Sequence, residues 1–232
     1  MSDKKLLLWD IDGTLISISY LGGEIFDRAF LRALDVKPPQ RVNMSGKTDP
    51  QIVAEYLEML NFDTSEFEAM TAEVLECLRL ELAVAKEEVA KIGSPKENAE
   101  QILQYFSGSD DVIQSVLTGN IVENAKLKLN IFALDKYIDF ECGAFGSDHI
   151  DRKELVGVAF ERVEAKHDIA PDPRSTWIIG DSPNDFACAA ASGLRCILVA
   201  TGRFGFEELS RLGADLVCEN LSDKEILNLI ET

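Results

Sequence analysis

The chain has 232 residues, 46% of them hydrophobic and 28% charged, enough to bury a full core in one large domain or two smaller ones. A formal charge of −18 argues against nucleic acid or an anionic membrane surface as a partner, since both need a basic face. It also means that any phosphate site must bring its own local cations.

The first predicted element is a strand at Leu6–Trp9, apolar on both faces as in a parallel sheet. Asp10-Ile11-Asp12-Gly13-Thr14 follows it directly. Two carboxylates at the end of a buried strand are costly without a cation or a dense set of hydrogen bonds. A turn is one reading, since Asp12-Gly13 is a favoured hairpin dipeptide. A calcium loop fails, because its glycine belongs at the sixth position and Gly13 is fourth. On the functional reading Asp10 is a metal ligand and nucleophile, and Asp12 a general acid/base.

The next stretch, 15–93, reads as almost wholly helical. Ile25, Phe26, Ala29, Phe30 and Ala33 share one face; Asp49-Pro50 opens a second helix with Ile52, Val53, Tyr56, Leu57 and Leu60; residues 64–92 hold no Gly or Pro and predict one long helix or two in series. This is far longer than a crossover needs. It predicts a helical domain of residues 15–93 set into a core of residues 1–14 and 94–232. Within it, Gly46-Lys47-Thr48 resembles the tail of a P-loop, but Arg41 stands where the first glycine should be and no strand precedes it. Lys47 remains a candidate anion contact.

Ser94-Pro95-Lys96-Glu97 reads as a capping box opening a helix through about Tyr105. Further strands are predicted at Val112–Leu117, Tyr137–Cys142, Thr176–Ile179, Cys196–Val199 and Asp215–Cys218, with a helical stripe at Lys153–Ala165 and a helix from Ser182-Pro183 to Gly193. Strands alternating with helices predict an α/β fold: a Rossmann-like, doubly wound parallel sheet with the helical insertion.

Three segments supply chemistry after the second, third and fourth core strands. Thr118-Gly119-Asn120 offers a hydroxyl and backbone N–H groups as an anion cradle, although a plain strand–helix turn fits the same residues. Arg152 and Lys153 put cations at a helix N-terminus, which opposes the macrodipole unless an anion is recruited; a solvated surface pair is the alternative. Gly180-Asp181-Ser182-Pro183-Asn184-Asp185 reads as a helix cap, but that leaves Asp181 and Asp185 unexplained as a pair. With Asp10 they form an all-oxygen cluster suited to Mg²⁺.

Together these segments resemble the four motifs of the haloacid dehalogenase-like hydrolase superfamily, and the insertion resembles the cap of its phosphoglycolate phosphatase and β-phosphoglucomutase branch. The resemblance implies an aspartyl-phosphate mechanism. Asp10 attacks phosphorus, while Asp12 protonates the leaving oxygen and then activates water. Mg²⁺ is held by Asp10, the Asp12 carbonyl and Asp181, with Asp185 behind. Thr118 and Gly119, with Asn120, bind phosphoryl oxygens, and Arg152 or Lys153 neutralises developing charge. The superfamily usually has Lys-Pro at that third motif, so two cations compete for the role, with Arg152 favoured by its place just before the helix. Lys47, Arg41 and the region around Tyr20 become substrate-contacting candidates.

A phosphatase acting on a small phosphorylated metabolite is the expected function. A β-phosphoglucomutase-like mutase or a pyrophosphatase are alternatives; a phosphonate hydrolase, a dehalogenase (which lacks the second aspartate) and a non-catalytic binding module rank lower. Cys77, Cys142, Cys188, Cys196 and Cys218 are odd in number and lack C-x-x-C spacing, which reads as reduced thiols rather than disulfides or a zinc site. His149 and His167 are too few for a histidine-rich centre. With no 18-residue apolar run and no signal-like start, a cytoplasmic monomer or homodimer is expected.

Overall fold

The computed structural model describes residues 4–232. The first three residues of the predicted core segment lie outside the described residues. Strand β1 (Lys5–Trp9) leads to a short β2 (Ile16–Ser17) and four helices: α1 (Leu21–Leu34), α2 (Asp49–Met59), α3 (Phe67–Val84) and α4 (Lys86–Ile92). Then β3 (Ser94–Pro95) brings the chain back beside β2. The remainder alternates: α5 (Ala99–Ser107), β4 (Val112–Val116), α6 (Val122–Ile131), α7 (Leu155–His167), β5 (Thr176–Gly180), α8 (Pro183–Ser192), β6 (Arg195–Val199), α9 (Phe206–Leu209), β7 (Leu216–Cys218) and α10 (Lys224–Glu231).

Five strands form one parallel sheet in the order β4-β1-β5-β6-β7. Its central strands are buried on both faces, and the two-residue period of a strand divides them between two layers. Leu7, Trp9, Ile179 and Ile197 face Leu103, Ile226 and Ile230 in one apolar cluster. Leu6, Leu8, Ile178 and Leu198 face Leu155, Ala159, Cys188 and Ala189 in the other. Helices therefore cover both sides, and the fold class expected from the alternation of elements is the one observed.

The helical insertion packs α1 along α3 and sets α2 beside them. The Tyr56 ring meets Phe30 edge-on at 5.2 Å between centroids and Phe26 at 6.3 Å. These rings belong to the same apolar cluster as the first sheet layer, joined to it through Ile11, Leu15 and Ile16. The insertion is thus anchored over the carboxyl ends of the strands by continuous hydrophobic packing.

Two predicted elements differ. The capping box at Ser94-Pro95 does not form; these residues pair antiparallel with Ile16-Ser17, and the helix starts at Ala99 after Asn98 at φ 63°. A cap contributes only about 1 kcal/mol, so pairing of the two strands that enter and leave the insertion overrides it. The predicted strand at Tyr137–Cys142 is replaced by 3-10 turns at Asp135–Tyr137 and Phe140–Cys142. The Asp139 carboxylate accepts the Glu141 N–H at 3.1 Å and curls the chain away from the sheet, a local side-chain bond competing with the ladder. Only a bridge between Leu117 and Ala144 survives at that edge.

All five cysteines are free. Among the described residues no helix is long and apolar enough to cross a membrane.

Candidate functional site

Parallel alignment of the strands brings their following residues to one mouth, where open α/β sheets bind ligands. Asp10 follows β1, Thr118 lies just past β4, and Asp181 follows β5. Oxygens of Asp10, Asp181 and Asp185 all lie within 4.8 Å of one another, and all three residues are buried. Asp181 occupies a slot between Gly13 and Gly202, where a Cβ on either glycine would overlap its carboxylate; Gly13 also sits at φ +91°. The Thr14 hydroxyl donates to Asp181 at 3.3 Å.

Asp185 is held on both oxygens. Oδ1 accepts from Arg152 at 2.6 Å, and Oδ2 accepts from the Ser182 N–H at 3.0 Å and its hydroxyl at 2.6 Å. The Ser182-Pro183-Asn184-Asp185 capping box that starts α8 thus aims the carboxylate into the site. Arg152 reaches Asp10 Oδ1 at 3.0 Å and also donates to the Leu117 carbonyl at 3.0 Å. Arg152 is the buried cation of the pair and lines the cavity over Asp10, whereas Lys153 is exposed and does not.

Burial pushes the Asp10 carboxyl up to about 6, with Asp185 and Asp12 raising it further against the pull of Arg152. Burial, then the charges of Asp10 and Asp185, pushes Asp181 up to about 8. Burial opposes the Arg152 charge, but Asp185 and Asp10 hold its pKa above the ordinary value. Three carboxylates against one guanidinium leave an excess of negative charge in a low-dielectric site. An all-oxygen donor set with that deficit fits a hard divalent cation.

A second network orients Asp12. Its Oδ2 accepts from Asn120 Nδ2 at 2.8 Å and from Lys128 Nζ at 2.6 Å. Lys128 also donates to Asn120 Oδ1 at 2.6 Å, and Asn120 donates to the Thr118 hydroxyl at 2.9 Å. Asn120, expected to contact substrate, is engaged in holding Asp12. Lys128 was not among the predicted residues. Its signal is legible in retrospect: Asn124, Ala125, Lys128 and Leu129 form the buried stripe of α6, and lysine is rarely buried without a partner.

The insertion closes over this mouth through its 44–49 loop. Thr48 Oγ1 donates to the Ile150 carbonyl at 2.6 Å, the Asp49 N–H donates to the Gly119 carbonyl at 2.7 Å, and the Ile121 N–H donates to Asp49 Oδ2 at 2.8 Å. Gly119 allows this approach, since a Cβ there would overlap the Lys47 carbonyl. Below the loop lies a cavity of about 280 Å³, floored by Asp10, Asp12, Thr118 and Arg152 and roofed by Phe26, Met44, Lys47 and Ile52. Lys47 lines it while paired with Glu55. Ser19 and Gly22, on either side of the exposed Tyr20, line it, whereas the Tyr20 ring and Arg41, which pairs with Asp27 at 2.7 Å, do not. Arg203, not predicted, does.

Asp49, read in the sequence as a helix start beside Lys47, is buried where the insertion meets the core. Burial pushes its carboxyl up to about 6, with Lys128 and the Ile121 N–H pulling down and Asp12 pushing up. A folded-state pKa above the unfolded one gives stability that is present at low pH and lost as pH rises through about 6. Asp49→Asn keeps an acceptor for Ile121 and removes the buried charge. It is expected to raise stability by about 2–3 kcal/mol near pH 7.5 and to give no gain below about pH 4. Thermal melts across that range measure this; a gain independent of pH defeats the assignment.

The fold and this site define a class: an open, doubly wound α/β core with a buried carboxylate cluster at the mouth of its sheet, under a helical insertion. Residues 155–224 match the family model described as HAD-hydrolase-like, a stretch that includes Asp181 and Asp185. Similar solved structures span essentially the whole chain. A hydrolase from Pseudomonas syringae aligns with TM-score 0.72 at 18% identity, covering 98% of this chain and 99% of that one. A predicted phosphatase from Clostridium acetobutylicum aligns with TM-score 0.71 at 19% identity, covering 99% of each. A predicted phosphoglycolate phosphatase from Haemophilus somnus aligns with TM-score 0.67 at 18% identity, covering 99% of each. No curated protein matches the sequence. The chain has the fold of the haloacid dehalogenase-like hydrolase superfamily with its helical cap, and its C-terminal part matches that family's model.

Proposed function

We propose that this protein is a phosphatase that hydrolyses a small phosphorylated metabolite through an aspartyl-phosphate on Asp10, with residues 15–93 as its cap domain and residues 1–14 and 94–232 as its catalytic core. The observation that carries the reading is Asp10 itself, a buried carboxylate held by Arg152 at 3.0 Å on the floor of the capped cavity, with Asp12 beside it. The residues that would hold a divalent cation, for which the oxygen donors favour Mg²⁺, are Asp10, Asp181 and the Asp12 carbonyl, with Asp185 supporting them through Ser182 and Arg152. When bound, the ion supplies positive charge to the transferring phosphoryl group.

An Asp10 oxygen forms the bond to phosphorus as the bond to the leaving oxygen breaks, and Asp12 gives that oxygen its proton. Asp12 then takes a proton from water, whose oxygen attacks phosphorus and releases Asp10 and inorganic phosphate. Arg152 neutralises charge on the phosphoryl oxygens, and the Thr118 hydroxyl and Gly119 N–H donate to them. Closure of the 44–49 loop excludes bulk water. The small cavity suits a metabolite rather than a polymer.

Hydrolysis of an aryl phosphate is expected to stop on chelation with EDTA and to resume with added Mg²⁺. Activity indifferent to chelation sinks the metal-dependent reading, and phosphate that appears on another hydroxyl instead of in solution turns the enzyme into a mutase. Lys128 enters the same reading as a positioning residue for Asp12. Lys128→Met and Asp12→Asn are each expected to lower kcat by about 10²-fold on an alkyl phosphate, whose leaving oxygen needs a proton. In the first half-reaction, read as the single-turnover burst of alcohol or phenol release, both effects are expected to shrink on an aryl phosphate with a good leaving group, whereas the water-activating step keeps its loss on either substrate. Equal losses in that burst on both substrates contradict the role given to Lys128.

A further inference from the structure

A second cluster lies at the opposite end of α7 from Arg152, about 20 Å away along the helix. We propose that Asp139, Cys142 and His167 form a site for a borderline-soft divalent cation of the zinc type, separate from the carboxylate cluster. Ligand atoms of the three residues lie within 4.8 Å of one another. His167 Nε2 is 3.6 Å from Asp139 Oδ2, and Cys142 Sγ is 3.4 Å from the same oxygen. The donors of a tetrahedral zinc site, with bonds of about 2.0–2.3 Å, stand about 3.3–3.6 Å apart. The two separations lie within about 0.3 Å of such a tetrahedron's edges.

Three further observations favour a metal over a simple polar contact. His167 Nε2 is shielded from solvent and has no hydrogen-bond partner among the described residues, which is costly for a ring nitrogen. Asp139 divides its oxygens: Oδ1 accepts from Lys166 Nζ at 2.8 Å and the Glu141 N–H at 3.1 Å, and Oδ2 is left with only the weak thiol donor. Lys166 and Glu141 thereby act as the outer partners that orient a ligating carboxylate. The site also abuts the C-terminal turn of α7, where the helix dipole favours positive charge.

The set mixes one thiolate, one imidazole and one carboxylate, which selects zinc-like ions over Mg²⁺. On binding, Cys142 forms a sulfur–metal bond and its proton goes to solvent, neutral His167 binds through Nε2, and water takes the fourth position. The side chain of His167 is 25% exposed and provides the entry path, while Cys142 forms the closed wall. Cysteine spacing does not expose this set, because its partners are an aspartate three residues back and a histidine on another element. A bound ion would clip the 3-10 turn at Phe140–Cys142 to α7.

Titration of the whole protein with Co²⁺ tests the site. A thiolate-to-cobalt charge-transfer band with tetrahedral d–d absorption is expected, saturating at one equivalent and displaced by Zn²⁺. Cys142→Ser and His167→Gln are each expected to abolish it, and Asp181→Asn to leave it intact, since the carboxylate cluster contains no sulfur. Absence of a thiolate band, or a band that survives either His167→Gln or Cys142→Ser, overturns the proposal. His167→Gln decides the matter alone if the buried Cys142 variant does not fold. The result is independent of whether the protein is a phosphatase.

Discussion

Asp10→Asn is expected to lower kcat for aryl phosphate hydrolysis by about 10⁴-fold or more, as loss of a covalent nucleophile does. The substitution preserves shape and an acceptor for Arg152, so the loss is one of chemistry rather than of folding. Its effect on stability has the opposite sign. Burial pushes Asp10 up to about 6, so in the metal-free protein the ionised carboxylate opposes folding above that pH. The Asn variant is therefore expected to melt no lower than the parent at neutral pH without metal. Measuring kcat and Tm on the same preparation separates the two effects. Retention of more than a tenth of the parent activity excludes Asp10 as the nucleophile, and a large fall in Tm would make the activity loss uninterpretable as chemistry, against expectation.

Arg152→Met is expected to show the reverse pattern, a large loss of stability together with a loss of activity. The guanidinium is almost fully buried and pairs with Asp185 at 2.6 Å and Asp10 at 3.0 Å. Its removal leaves Asp185, which has no solvent exposure, with an uncompensated charge on Oδ1. Breaking a buried pair from one side costs about 3–5 kcal/mol, a fall in Tm of about 6–20 °C for a chain of this size. Adding Asp185→Asn removes the orphaned charge and is expected to recover part of the stability and none of the activity. Lys153→Met, one residue away and exposed, is expected to change stability by less than about 0.5 kcal/mol. Equal effects at 152 and 153 would contradict the assignment of the buried cation.

Much of this architecture is legible in the sequence because its signals are local. Continuous apolar runs such as Leu6–Trp9 mark strands buried on both faces, and the carboxylates after them mark the mouth of the sheet. Ser182-Pro183 and Gly193 bracket α8 by capping chemistry alone. The signals that fail are those that tertiary contacts outweigh. Ser94-Pro95 carries a good helix start, yet pairing with Ile16-Ser17 takes it. Tyr137–Cys142 alternates like a strand, yet the Asp139 side chain bends it off the sheet edge.

Among the site residues, the sequence singled out Asp10, Asp12, Thr118 and Asp181 because each comes soon after a predicted strand, and Asp185 because helix capping alone left it unexplained beside Asp181; the resemblance joined them into one set. The sequence could not separate Arg152 from Lys153, since adjacent residues share a sequence context and differ only in which way the 3-10 turn at Arg152–Glu154 points them. Nor could it find Lys128 or the buried role of Asp49, which come from partners on other elements: Asp12 and Asn120 for the first, Ile121 for the second. The sequence by itself determined the sheet, the insertion and the carboxylates at the strand ends, because hydrophobic period and capping act over a few residues. The tertiary structure alone decided which cation is buried, what holds Asp12 and how the 44–49 loop closes the cavity. Those outcomes rest on burial and charge pairing between segments far apart in the chain, and neither leaves a periodic trace in the residues themselves.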